Sequence, residues 1–137
     1  MAMQSIISVS MDCRTSLLQV NITMIEVALD NLAKELESVS ADCLSLVVLW
    51  NSECRHCTPF LEMINSIETT FPKYKFYKVH VDDVPLFAPP AIPSVSVFYN
   101  GARFFEGLGV PNQQMFEQGL EFWQTEWETN IRKRNGN

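Results

Sequence analysis

The segment NSECRHCTPF, residues 51–60, places Cys54 and Cys57 three positions apart, with Arg55 and His56 between them. Two thiols at that spacing can be joined within about one turn of backbone, so they can hold two electrons as a dithiol and release them as a disulfide. The same pair could be half of a metal site or an accident of composition. A tetrahedral zinc site needs two further ligands. Only Cys13, Cys43, His56 and His80 could supply them, and they form no second paired motif. No metal is therefore expected. Cys13 and Cys43 are read as buried or incidental thiols, because free cysteine is commonly a core residue. His80 is read as a satisfied polar residue on a strand.

The elements around the pair give it a definite position. Leu44–Trp50 (LSLVVLW) is apolar apart from Ser45, the pattern of a strand buried on both faces. The dithiol follows it at once. A helix is then expected, with Pro59 tolerable in its first turn and Phe60, Ile64 and Ile67 on its buried stripe. Such a strand–CxxC–helix unit sets Cys54 at the helix N-terminus. There free N–H groups and the helix dipole favour a thiolate, and Cys57 becomes the shielded, resolving sulfur.

Elsewhere, residues 21–27 and 74–81 read as strands, and Asp30 is a candidate cap for a helix carrying Leu32, Leu36 and Val39. Residues 7–11 alternate weakly and permit a short strand. The stretch 82–93 has four prolines in twelve residues and cannot hold a long helix. Residues 94–99 and 102–106 form a hairpin about Asn100-Gly101. A last helix over about 112–127 buries Phe116, Leu120, Trp123 and Trp127. The order β-α-β-α-β, hairpin, α predicts an α/β fold: a central mixed sheet flanked by helices on both faces.

The 137-residue chain is the size of one domain, and 47% of it is apolar. Its formal charge, 10 − 16 = −6, argues against nucleic acid as a partner. The basic cluster Arg132, Lys133 and Arg134 reads as a solvated tail. No apolar run approaches the ~18 residues of a spanning helix, so no membrane partner is expected. The N-terminus has an apolar patch but neither a basic lead nor a clear cleavage site. A cytoplasmic protein is expected, and the sequon at Asn21 then carries little weight. In that setting a lasting structural disulfide is not expected.

LVVLWNSECRHC resembles the strand and active-site segment of the thioredoxin family, with Trp50 at its aromatic position four before the first cysteine. Asp82 and Pro85 resemble the acid and proline after its third strand. AIPSVSVFYNG resembles the segment with its cis-proline, which would fall on Pro93, and Gly109 matches its glycine after the last strand. The likeness covers residues 22–127. It implies a thioredoxin-like fold and a thiol–disulfide oxidoreductase, with Cys54 as nucleophile and Cys57 as resolving thiol. Trp50, the Ile92 backbone, Pro93 and Gly109 would contact the substrate chain. The implied partners are protein substrates with disulfides or thiols, and a thiol reductant or reductase. No cofactor beyond the dithiol is implied.

Three neighbours should tune the pair. Glu53 stands where the family usually has tryptophan and disfavours a nearby thiolate; Arg55 and His56 favour one. Val48 replaces the family's buried acid and leaves Lys78 without that partner. These departures motivate a second reading, an interaction module with weak or lost redox activity. The expected layout is an N-terminal extension at 1–21, a thioredoxin-like domain at 22–128 and a basic tail at 129–137. Oligomeric state is left open.

Overall fold

The computed structural model describes Cys13 and residues 24–81, 92–109 and 112–131. The candidate strand at 7–11, the sequon, Asp82, Pro85 and the basic cluster lie outside these residues. In chain order the elements are β1 (Ile25–Glu26), α1 (Leu32–Glu37), β2 (Leu44–Trp50), α2 (Cys57–Ile67), β3 (Tyr74–His80), β4 (Ser94–Tyr99), β5 (Ala102–Leu108) and α3 (Gln113–Glu126). A π-helical turn, Trp127–Ile131, ends the described chain.

The strands form one sheet in the order β1-β3-β2-β4-β5. β1 and β2 run parallel to β3, while β4 is antiparallel to both β2 and β5. β2 is therefore central, and its side chains alternate between two apolar layers. Leu44, Leu46 and Val48 join Phe60, Ile64 and Ile67 of α2, and Leu120 of α3, in the larger layer. Val47 joins Leu36 of α1, with Tyr77 and Val79 of β3, in the smaller one. Helices thus cover both faces, in a thioredoxin-like α/β arrangement. Each fully buried side chain of this kind contributes about 1.5–3 kcal/mol of transfer free energy.

Local chemistry explains most boundaries. Asn100 and Gly101 both adopt positive φ (57° and 84°), as a two-residue hairpin turn between right-twisted strands requires. Asn112 caps α3 by accepting a hydrogen bond from Met115 N at 3.0 Å. α1 is shorter than its apolar spacing predicts. Asp30 lies inside a 3₁₀ turn, Leu29–Asn31, and makes no side-chain cap. Gly119 leaves a groove of about 160 Å³ between α3 and the β4–β5 hairpin, lined by Val95, Val97, Phe105, Phe116 and Trp123 among others.

One expectation fails. Cys13 and Cys43 are joined in a disulfide, with Cα atoms 5.9 Å apart. They are not separate core thiols. The bridge forms because Cys13 N donates to Pro72 O at 2.6 Å, which seats residue 13 beside the turn that leads into β3. Cys43 immediately precedes β2, next to that turn, since Leu44 N donates to Lys73 O at 2.9 Å.

Candidate active site

β2 delivers Trp50 to one end of the sheet, and a compact turn follows. Asn51 organises it: its side-chain oxygen accepts from Glu53 N at 3.0 Å and its carbonyl accepts from Cys54 N at 3.3 Å. Such Asx geometry lets a short polar side chain replace backbone pairing where a strand ends. Cys57 N then donates to Cys54 O at 3.1 Å, and the regular helix begins at Cys57. Cys54 therefore lies one turn ahead of the helix and not at its first position. His56 occupies the cap position without a capping hydrogen bond from its side chain. The positive end of the helix dipole is centred on Cys57, and Pro59 contributes no N–H to the first turn.

Cys54 and Cys57 are joined in a disulfide, with Cα atoms 5.3 Å apart. Their environments differ. Cys57 is fully buried, whereas Cys54 is half-buried at the surface. Glu53, Arg55 and His56 are all exposed around the turn.

The second wall of the site comes from far along the chain. The Ile92–Pro93 peptide bond is cis. Ile92 O lies 3.6 Å from Cys54 Sγ. In the disulfide form that sulfur has no proton, so this is a contact and not a hydrogen bond. Gly109 N donates to Pro93 O at 2.8 Å, fastening the end of β5 to the same loop. Gly109 is needed here for close approach. A Cβ at this position would fall 2.5 Å from the ring of Phe60, three residues after Cys57.

Trp50 forms the flank nearest β3. Its ring meets His80 edge-on, with centroids 4.7 Å apart, and the Lys78 ammonium sits 5.6 Å from the ring centroid. The Trp50 indole N–H is buried and has no hydrogen-bond partner among the described residues. Register accounts for both contacts: Trp50 pairs with His80, and Val48 with Lys78. His80 was read only as a strand residue. The in-phase pairing of two strands that each end beside the site is the signal that would have put it against Trp50.

The structure brings Cys54, Cys57, Ile92, Pro93 and Gly109 into one connected site. Trp50 adjoins it at the end of β2, and Glu53, Arg55 and His56 ring its exposed side. Among the described residues, no three His, Cys, Asp or Glu side chains converge as metal ligands would, and no helix is long and apolar enough to cross a membrane.

No protein-family model and no curated protein matches the chain. Solved structures do match. One comes from work on the thiol resolving mechanism in yeast mitochondrial 1-Cys peroxiredoxin via glutathione/thioredoxin systems. It has a TM-score of 0.59 and 16% identity, covering 72% of this chain and 93% of the other. Another is a designed protein, with a TM-score of 0.59 and 15% identity over 74% of this chain and 98% of its own. At such identities the likeness speaks for architecture alone. With the sheet order and the helices on both faces, it makes this a chain of thioredoxin-like α/β fold with a Cys-x-x-Cys disulfide at the end of its central strand.

Proposed function

We propose that the protein is a thiol–disulfide oxidoreductase acting on protein disulfides. The observation that carries this reading is the unequal exposure of the two sulfurs, half-buried Cys54 against fully buried Cys57. In the reduced protein the Cys54 thiolate attacks one sulfur of a substrate disulfide. The substrate S–S bond breaks, one substrate sulfur leaves as a thiolate and takes a proton, and a mixed disulfide remains. Cys57, as thiolate, then attacks Cys54 Sγ, expels the second substrate thiolate and closes the pair. A thiol reductant or reductase restores the dithiol. The substrate chain lies against the Ile92 backbone, Pro93 and Gly109, with Trp50 as a side wall. The dithiol is the only redox group the reaction requires.

A second reading, an adaptor with weak redox chemistry, is favoured by one observation. Val48 is fully buried where an acid would serve as proton acceptor for Cys57. Insulin-disulfide reduction with dithiothreitol as donor separates the two. Turnover that disappears in Cys54→Ser supports the oxidoreductase; wild-type turnover no faster than dithiothreitol alone supports the adaptor. Alkylation of the reduced protein should modify Cys54 at least about tenfold faster than Cys57, and the reverse order would remove the assignment of roles. A cytoplasmic setting is a separate proposal, and the Cys13–Cys43 bridge constrains it.

A further inference from the structure

We infer that Cys13–Cys43 is a second thiol–disulfide site, made and broken by small-molecule thiols and disulfides such as glutathione. It clamps residue 13 to the pole of the sheet opposite the Cys54–Cys57 pair. The inference is independent of the proposed catalytic activity.

Three pieces of chain meet at this pole. Cys13 N is bonded to Pro72 O, Cys13 Sγ lies 3.8 Å from Asp42 O, and Cys43 N donates to Ser40 O at 3.0 Å. The bridge therefore ties the chain ahead of β1 to the two turns that start β2 and β3. Its exposure is graded like that of the candidate active site: Cys13 is half-buried, whereas Cys43 is 8% exposed. Cys13 is the more accessible target for an incoming thiolate.

The two disulfides do not exchange within one molecule. Cys43 precedes β2 and Cys54 follows it, and a seven-residue strand separates its ends by ~23 Å. An external partner is therefore required. Opening proceeds by attack of a small thiolate on Cys13 Sγ. The S–S bond breaks, Cys43 leaves as a thiolate and takes a proton, and Cys13 carries the mixed disulfide. A second small thiolate frees Cys13 and departs as a small-molecule disulfide, so two thiols are oxidised for one bridge reduced. Closing is the reverse, with the small-molecule disulfide as oxidant.

The clamp should be harder to reduce than the candidate catalytic pair. Its closure contributes more to fold stability, because it spans a sequence separation of 30 against 3 for the other bridge. The packed pole also holds the reduced sulfurs close enough to re-form the bond. The protein then has a working window in which Cys54–Cys57 is reduced and Cys13–Cys43 remains closed.

The test equilibrates the full chain with graded mixtures of reduced and oxidised glutathione, quenches in acid, alkylates and maps the modified cysteines. The clamp should open only under conditions at least about tenfold more reducing than those that open Cys54–Cys57. Its opening should lower the melting temperature by on the order of 10 °C. In Cys54→Ser/Cys57→Ser the opening curve of Cys13–Cys43 should be unchanged. Cys13→Ser should show the lowered melting temperature. The inference is overturned if Cys13 and Cys43 alkylate in the air-oxidised protein, or if they open together with or before Cys54–Cys57. It is equally overturned if the double variant shifts their curve, or if opening leaves the melting temperature unchanged. Cysteine mapping on the wild-type chain decides the matter even if Cys13→Ser does not fold.

Discussion

His56 stands at the boundary between the dithiol turn and α2, exposed, with no cap bond from its side chain. Because the helix begins at Cys57, its dipole is aimed at the buried sulfur more than at the attacking one, so side chains must do more to stabilise a Cys54 thiolate. An imidazole N–H donated to that thiolate is worth about 1.5–3 kcal/mol. It stabilises the reduced form and raises the reduction potential, and Arg55 acts in the same direction. Glu53 opposes both, weakened by its full contact with water. In a glutathione titration His56→Pro should lower the potential of the Cys54–Cys57 pair by about 30 mV or more, the equivalent of ~1.4 kcal/mol. No change, or a rise, would make His56 a bystander. The residues of this turn were legible because the Cys-x-x-Cys spacing states its own chemistry. The Cys13–Cys43 bridge was not, since pairing depends on which turns the fold brings together and four cysteines permit three pairings.

β2 and β4 run over the residues expected, where a short, mostly apolar run and the alternation Ser94–Val97 sit between turn residues. The hairpin turn was equally plain, since Asn-Gly is the pair that tolerates two positive φ angles. Cys54 lies three residues ahead of α2 because Asn51 builds a turn first, through hydrogen bonds that helical periodicity does not register. Two glycines now give opposite predictions. At Gly109 an added methyl collides with Phe60, so Gly109→Ala should destabilise by about 1–3 kcal/mol. At Gly119 a Cβ would meet nothing within 4 Å, and Gly119→Ala should stabilise by about 1 kcal/mol through helix propensity. Urea midpoints of the two variants measure both. A stable Gly109→Ala would mean that Phe60 can swing aside, and an unstable Gly119→Ala that the groove closes in solution.

For the molecule as a whole, two buried phenols set an alkaline limit. The Tyr74 pKa is pushed far above 10, first by burial and then by the nearby Glu128 carboxylate, while its hydroxyl donates to Leu120 O at 2.6 Å. Tyr77 is raised by burial and then by Glu35. A phenol whose pKa rises on folding gives stability that is fully present below its unfolded value, about 10. That stability is lost as pH climbs toward the folded value, because the unfolded chain releases the proton first. Above pH 10 the two phenols together should steepen the loss of stability with pH. Urea midpoints measured across pH 8–11 should fall steeply above 10, and Tyr74→Phe/Tyr77→Phe should flatten that fall. A slope unchanged in the double variant would place the sensitivity elsewhere.

Among the described residues the sheet ends in two unlike borders. β1 contributes only two residues, whereas β5 presents seven along the other edge. That longer border is irregular, with its pairing shifted between Val97 and Phe98, and it carries exposed Arg103 and Glu106, 3.4 Å apart. Charges and a bulge on an outer strand spoil the flat template on which a neighbouring chain could zip up. The net charge of −6 adds repulsion between copies. The consequence is colloidal: a charged, irregular border is a poor template for strand addition by a second copy.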